Sequence, residues 1–368
     1  MINRESCCLC GGELSFLHSF NRFPIYMGIT EKTEPDLFED MEFHACNKCG
    51  CVQLKRLIDP SVLYKRCHNP AIGKTWEEHN RSLADCVGSI GAKTVLDIGG
   101  ANMKIANMIC ESSTVVSYTV CDVSSENYDS HRNGKIKIIN ETIENAIIKD
   151  KYDTIVLSHT FEHFYSPVAV LKKLVPMLAD NGVIVISVPN IENQLKDGFL
   201  NAINFEHTYY INHEYVKLAS ELAGLKIADR KDFSKYNSFY TLSKGEMHSS
   251  FPNDASISAN VYNAFVKDLL RDVANINLAI QDKEAYCFGA HIFTQMLLAC
   301  GLNTKSIKGI LDNDPNKIDK LLYGSDLKVF NPSVISKDES PIVILRAAQY
   351  KDEIKLGLIT HNQVVTFV

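Results

Sequence analysis

The sequence lacks three features that would point to a membrane or to nucleic acid. Its 368 residues contain no apolar run of the roughly 18 residues needed to cross a bilayer, and the first residues lack the apolar core of a secretory signal. There is no long Lys/Arg run, and the formal net charge is −6. Because nucleic acid would favour a basic face, we expect a cytoplasmic protein that acts on a small molecule.

Length and composition predict more than one domain. A hydrophobic content of 45% with 22% charged residues is typical of a globular chain, and 368 residues are too many for one ordinary domain. The patterns described below predict three parts: a cysteine-rich part over 1–58, a central part with a leading helical segment over 59–245, and a smaller α/β part over 246–368.

The chain contains twelve cysteines, and the cytosol keeps thiols reduced, so their spacing favours a metal over disulfides. Two Cys-x-x-Cys segments, each followed by glycine, are typical of zinc knuckles. Four thiolates would close a tetrahedral Zn²⁺ site and leave no position for water, so we expect structural zinc in an N-terminal ribbon. Unmetallated thiols are the alternative, and Cys8 and Cys51 are adjacent enough to replace a ligand. The expected ligands are Cys7, Cys10, Cys46 and Cys49.

Apolar runs alternate with helical segments in the central part, which predicts a doubly wound parallel sheet. The first run, 95–98, enters a glycine turn at Gly99–Gly100 that opens a helix, an arrangement that binds nucleotide-like cofactors. The full dinucleotide pattern Gly-x-Gly-x-x-Gly is absent, so S-adenosylmethionine (SAM) fits better than NAD; a purely structural turn is the alternative. The predicted strands are 94–98, 116–121, 135–139, 153–158 and 182–188.

Acidic residues follow the predicted strands. Asp122 ends the second strand, where a carboxylate could accept both ribose hydroxyls of a nucleoside, and this pattern resembles the SAM-dependent methyltransferases of the Rossmann-like class. In that fold, Asn140 and Glu141 reach the adenine, although a solvated loop is equally compatible. The resemblance implies further cofactor contacts around the turn and the second strand: Asp97, Gly99, Gly100, Ala101, Asn102 and Val123.

Two Glu-His pairs follow later strands. The segment after the fourth strand resembles that of small-molecule methyltransferases; His159 and Glu162 are expected to line the cofactor site, whereas His163 is equally compatible with packing. The second pair, Glu206–His207, is the sharper catalytic candidate, because a carboxylate beside an imidazole can orient the ring and raise its basicity.

The C-terminal part predicts a second, smaller sheet. A strand and glycine turn at 286–291, a strand with an acidic end at 307–317, and apolar segments at 341–349 and 364–367 follow a helix predicted over 258–280. This part is compatible with binding a nucleotide-bearing substrate or with a scaffold.

Taken in order, these parts resemble the zinc-containing C-methyltransferases that act on nucleotide-linked deoxysugars. The resemblance implies SAM as methyl donor, structural zinc, a nucleotide sugar held between the central and C-terminal parts, and His207 with Glu206 as the basic pair. Members carry a Tyr-x-Tyr-x-Ser-Ser-like segment before a Thr-x-x-x-His helix. Here the corresponding residues are 67–70, Cys-His-Asn-Pro, so the nearby Tyr64 and His68 are the catalytic candidates in its place.

Three functional alternatives remain open from the sequence. The same base could serve methylation at carbon or at oxygen. A non-catalytic module that senses SAM or a nucleotide would carry the same binding motifs. A nucleic-acid methyltransferase would require a basic face that the net charge does not indicate.

Overall fold

The computed structural model describes residues 2–65, 73–100, 103–112, 114–123, 135–281 and 283–368. The N-terminal elements are β1 (Ile2–Asn3), β2 (Leu14–Pro24), β3 (Ile29–Thr30), β4 (Phe38–Cys46), β5 (Val52–Leu54), β6 (Arg56–Leu57) and α1 (Pro60–Leu63). Strand β4 pairs antiparallel with β2 on one side and β5 on the other. The two Cys-x-x-Cys segments lie in turns, one before β2 and one at the end of β4.

The central part contains the sheet that the alternating pattern predicts. Its elements are α2 (Lys74–Ser89), β7 (Thr94–Ile98), α3 (Lys104–Ser112), β8 (Ser117–Cys121), β9 (Ile136–Ile139), β10 (Tyr152–Ser158), α4 (Pro167–Leu174), β11 (Leu178–Pro189), α5 (Ile191–Lys196), α6 (His213–Leu222), β12 (Leu225–Ser234) and β13 (Asn237–Lys244). The strand order is β12-β13-β11-β10-β7-β8-β9. The five predicted strands, β7 to β11, pair in parallel.

Helices cover both faces of this sheet because its central strands are apolar on both sides. On one face, α2 buries Leu83 and Val87, one turn apart, and α3 buries Ile109 against the same core. The other face belongs to a core that continues without a break into the N-terminal and C-terminal parts. The central sheet therefore shares one hydrophobic core with the N-terminal and C-terminal parts.

The hairpin of β12 and β13 extends the sheet beyond the predicted strands. Strand β13 pairs antiparallel with both β11 and β12, and β12 is largely exposed at the sheet edge. The segment after β11 contains α5, whose first turn is capped by the Asn190 side chain, which accepts the Asn193 N–H at 3.0 Å.

The C-terminal part has its own parallel sheet, in the order β17-β15-β14-β18-β19. Its elements are α7 (Ile257–Ala279), β14 (Ala285–Phe288), α8 (Ile292–Ala299), β15 (Ile307–Leu311), β16 (Leu321–Leu322), β17 (Val329–Phe330), β18 (Ile342–Ile344), α9 (Lys351–His361) and β19 (Thr366–Phe367). Strand β16 pairs with β3 of the N-terminal part. None of the described helices combines the length and the apolar character needed to span a bilayer.

Candidate functional site

The turn after β7 brings two neighbouring strand ends into contact. Gly99 has φ +79°, and a Cβ at this position would lie 2.3 Å from Thr160 Oγ1, just beyond β10. The Thr160 hydroxyl donates to the Ile98 carbonyl at 3.1 Å. Only glycine fits this close approach. The sheet order reverses direction between β7 and β10, which is where open α/β sheets bind ligands.

Asp97 is the buried acid of this strand end. One carboxylate oxygen accepts the Tyr118 hydroxyl at 2.9 Å, while the other, Oδ1, is buried without a hydrogen-bond partner among the described residues. Burial, aided by the charge of Asp122, raises the pKa of Asp97 to about 7 against the opposing hydrogen bond from Tyr118. The site therefore holds an acceptor that a cationic ligand would satisfy.

The other predicted cofactor residues follow the next two strands. Asp122 comes directly after β8, and its N–H donates to Ile139 at the end of β9 at 3.1 Å. Val123 is exposed to 40%. Glu141 Oε1 accepts the Thr142 N–H within its own loop at 2.8 Å. Ala101, Asn102 and the catalytic candidate His68 lie outside the described residues.

His159 is held in an aromatic cluster at the end of β10. Its backbone is left-handed, with φ +49°, and its ring contacts Trp76 at 4.9 Å and His79 at 5.0 Å between ring centroids. His79 is fixed in turn by a 2.8 Å hydrogen bond with Ser187. His159 Nε2 is buried and has no partner in the described part of the chain. The cluster thus fixes the orientation of an imidazole nitrogen that remains available.

Glu162 is the completely buried carboxylate of this strand end. Its Oε1 accepts from His159 Nδ1 at 3.2 Å. Burial by itself would raise the pKa of Glu162, but the hydrogen bond from His159 and the charges of His159, His163 and His207 lower it to about 2. Glu162 is therefore kept ionised by the surrounding imidazoles.

The second Glu-His pair folds onto the first. Asn204 Oδ1 accepts the N–H groups of Glu206 and His207 at 2.8 and 2.9 Å, and His207 Nδ1 donates to the Ala202 carbonyl at 3.0 Å. The ligand atoms of Glu162, His163 and His207 all lie within 4.8 Å of one another. The structure thus groups His207 with Glu162, a pairing that the sequence analysis missed; the recurrence of a Glu-His pair after two strands was the available signal.

Burial and nearby negative charges both affect the pKa of Tyr64. Burial raises the pKa of Tyr64 well above its usual value, and the negative charges of Glu206, Glu144 and Asp122 raise it further. The Tyr64 hydroxyl is therefore kept protonated.

The segment 208–210, directly after His207, is bonded on two sides. Towards the N-terminal part, Leu54 N–H donates to the Thr208 carbonyl at 3.0 Å and Tyr210 N–H donates to the Val52 carbonyl at 2.7 Å. Towards the end of β10, Thr208 N–H donates to the Glu162 carbonyl at 3.1 Å. This segment therefore connects β5 to the residues around Glu162.

Arg4 reinforces the connection from the N-terminal part. Only 6% of this residue is exposed, and its guanidinium donates to the Leu54 carbonyl at 3.2 Å, the Tyr165 carbonyl at 2.9 Å and both the carbonyl and hydroxyl oxygens of Thr208. A planar fork with five donors can serve several acceptors at once. Arg4 thus fixes the residue next to His207.

The four predicted metal-ligand cysteines come together. The Sγ atoms of Cys7 and Cys49 are 3.6 Å apart, those of Cys10 and Cys46 are 3.5 Å apart, and all four lie within 4.8 Å of one another. Cys46 Sγ also accepts the N–H of Cys49 at 3.4 Å. Cys8 and Cys51, the predicted substitutes, are not part of this set.

Two family models match the chain. One, described as a methyltransferase domain, matches residues 76–229, and the other, described as a C-methyltransferase C-terminal domain, matches residues 255–362. The chain therefore contains a methyltransferase domain over residues 76–229. These matches and the strand order confirm the predicted class I Rossmann-like fold and the predicted enzyme class. The comparison with curated proteins gave no match.

Solved structures with low overall similarity include several methyltransferases. A mitomycin 7-O-methyltransferase has 13% identity and a TM-score of 0.40 over 46% of this chain and 54% of its own. A SAM-dependent methyltransferase from Clostridium acetobutylicum has 12% identity and a TM-score of 0.38 over 47% of this chain and 93% of its own. Human N-acetylserotonin methyltransferase has 14% identity and a TM-score of 0.39 over 45% of this chain and 52% of its own. The chain thus spans about half the length of the first and third proteins.

Replacing Arg4 with methionine should loosen the segment after His207. The change leaves buried carbonyl oxygens with fewer donors, and we expect a loss of about 1–3 kcal/mol in the free energy of unfolding, measured by urea denaturation. Amide hydrogen exchange at 208–210 should become faster. Arg271→Met is the matched control, because Arg271 is exposed and pairs with an exposed Asp268. Equal stability of the two variants would contradict the role of Arg4.

Proposed function

We propose that this enzyme transfers the methyl group of SAM to a small carbohydrate-type acceptor, a nucleotide-linked sugar, with His207 and Glu206 as its basic pair. The proposal depends mainly on the position of His207, whose imidazole lies within 4.8 Å of the Glu162 carboxylate. Glu162 follows β10, and β10 pairs with β7, the strand that carries Asp97 into the Gly99 turn. The base is therefore adjacent to the cofactor edge.

The cofactor edge fits SAM in three respects. The unpaired Asp97 Oδ1 is suited to the ammonium of the methionine end, the turn at Gly99–Gly100 follows directly after the strand that carries Asp97, and Asp122 follows the neighbouring strand β8, where its carboxylate would accept the ribose hydroxyls. Asn140 and Glu141, which follow β9, would flank the adenine, with His159 and Glu162 on the opposite side. Ala101, Asn102 and Val123 complete the proposed cofactor contacts. When bound, SAM supplies a methyl group on a positively charged sulfur.

The proposed task of His207 is to remove one proton from the acceptor. Its Nδ1 is committed to the Ala202 carbonyl, so Nε2 is the nitrogen that would accept the proton. The ionised Glu162 would stabilise the resulting imidazolium. The protonated Tyr64 would donate a hydrogen bond to the acceptor molecule. Such proton transfer contributes about 10²–10⁴ in rate, and the rigid positioning of both reactants supplies more.

The acceptor atom is proposed to be carbon. Removal of a proton beside a carbonyl would give an enolate, whose carbon would bond to the methyl group as the sulfur–methyl bond breaks and neutral S-adenosylhomocysteine leaves. The second family match is described as a C-methyltransferase C-terminal domain. A hydroxyl acceptor, with the same base removing the O–H proton, is the alternative. The sugar-nucleotide class is proposed from the resemblance of the three parts of the sequence to zinc-containing sugar C-methyltransferases.

We also propose that Cys7, Cys10, Cys46 and Cys49 hold structural zinc. Four sulfur atoms within 4.8 Å of one another match the donor set of a closed Zn²⁺ site, and the Cys49 N–H bonded to Cys46 Sγ would stabilise a thiolate there. Because β5 follows directly and binds the segment after His207, this metal would support the acceptor side of the site.

The metal assignment predicts one tightly held zinc per chain after dialysis. Cys46→Ser should remove it, since three thiolates no longer close the site, and elemental analysis of the purified protein measures the content. Cys8→Ser is the control and should retain zinc. The assignment would be refuted if the unmodified protein contained no zinc, or if the Cys46→Ser variant had the same zinc content as the unmodified protein.

The Asp97 assignment predicts that SAM affinity increases as the pH rises through about 7, the pKa of this carboxyl. Below that pH the protonated acid cannot pair with the ammonium, and above it the carboxylate can. Asp97→Asn should weaken SAM binding by about 10- to 100-fold, the equivalent of a charge-assisted hydrogen bond, and should remove the pH dependence between pH 6 and 7.5. Calorimetry measures both effects.

The control for this experiment is Asp153→Asn. Asp153, at the start of β10, accepts the N–H groups of Lys93 and Thr94 and lies at the opposite end of the strand, so SAM affinity and its pH dependence should be retained. A pH-independent affinity in the unmodified enzyme would show that Asp97 does not contact the cofactor.

The basic pair predicts hydrogen exchange at carbon. A keto-sugar nucleotide incubated with the enzyme in heavy water should gain deuterium at the carbon to be methylated, and NMR measures the incorporation. His207→Ala should abolish the exchange and leave SAM binding nearly unchanged, because His207 is assigned to the acceptor. His213→Ala is the control, since its ring stacks on Tyr240, away from the His207 cluster. A new O-methyl signal without exchange would establish oxygen chemistry instead.

A further inference from the structure

Glu162, His163 and His207 form a compact set of possible metal ligands that differs from the cysteine cluster. Their ligand atoms lie within 4.8 Å of one another, and they come from two loops that the segment 208–210 holds together. Two imidazoles and one carboxylate are a donor set that first-row divalent transition ions accept, with coordination positions left for water or a ligand.

The hydrogen bonds around this set resemble the outer shell of a metal site. Metal-binding histidines usually donate their second N–H to a carbonyl or carboxylate, and His207 Nδ1 donates to the Ala202 carbonyl at 3.0 Å, which leaves Nε2 to face an ion. Ligating carboxylates are hydrogen-bonded in turn, and Glu162 Oε1 accepts from His159 at 3.2 Å.

The second oxygen of Glu162 supplies an independent reason to expect a cation. The side chain is completely inaccessible to solvent, and Oε2 has no hydrogen-bond partner within the described ranges. An unpaired buried carboxylate oxygen is costly, and coordination to an ion would satisfy it.

We propose that Glu162, His163 and His207 bind a divalent transition-metal ion, and that this ion regulates methyl transfer. The kinetic part rests on the proposed function of His207. Its Nε2 lone pair can bind an ion or accept a proton, but not both at once. Metal occupancy therefore removes the base, and the metal-free cluster is the active form.

Co²⁺ is the probe for binding, because its absorption spectrum distinguishes thiolate ligands from nitrogen and oxygen ligands. Full-length protein with the cysteine cluster loaded with zinc is titrated with Co²⁺. We expect one further ion per chain with a spectrum free of thiolate charge transfer. Glu162→Gln and His163→Ala should each lose this binding, and His159→Phe, which removes the hydrogen bond to Glu162, should weaken it about 10- to 100-fold.

His248→Ala is the matched control, because His248 pairs with Glu221 at 3.0 Å outside the cluster, and it should bind Co²⁺ as the unmodified protein does. Circular dichroism verifies that each variant is folded. Absence of the additional ion, a thiolate-type spectrum, or binding that survives both ligand substitutions would overturn the metal site.

Deuterium exchange on a keto-sugar nucleotide separates this proposal from the proposed function. We expect exchange to fall in proportion to Co²⁺ occupancy. If Co²⁺ binds at the cluster and exchange continues unchanged, the regulation is refuted and His207 is not the base, while the metal site stands. If exchange requires His207 but no Co²⁺ binds, the metal site is refuted and the proposed function stands.

Discussion

The double pairing of residues 208–210 determines where His207, the proposed base, lies. Buried backbone groups must be paired, and here the partners are β5 on one side and the Glu162 carbonyl on the other. Arg4 adds donors to the same segment, and the acceptors of these hydrogen bonds are carbonyl and hydroxyl oxygens. Because His207 immediately precedes this segment, its position follows from main-chain hydrogen bonds and does not depend on a flexible loop.

Two buried carboxylates with opposite pKa shifts occupy adjacent strand ends. Asp97 has one neutral hydroxyl donor, so burial dominates and raises its pKa to about 7. Glu162 is buried as completely but is surrounded by three imidazoles, which lower its pKa to about 2. The difference comes from the partners, not from the degree of burial. One carboxyl is thereby poised to gain a cationic ligand, and the other is a permanent negative charge.

The parallel strands could be predicted because each is a continuous apolar run between helical segments. Strand β12 could not, since it is polar and largely exposed and depends on pairing with β13. The cysteine cluster and the glycine turn followed from local spacing. The grouping of Glu162 with His207 did not, because it results from long-range pairing of 208–210 with β5, which no local pattern encodes.

The same pairing divides the site into two sides with different supports. The proposed cofactor side is built on β7, β8 and β9, whose register is set within the central sheet. The proposed acceptor side depends on the N-terminal part, which contributes Arg4 and β5 to the segment that follows His207. Disturbance of the cysteine cluster next to β5 should therefore affect the proposed base before it affects the proposed cofactor edge. The N-terminal part is in this sense a portion of the proposed active site, because β5 pairs with the segment that follows the proposed base.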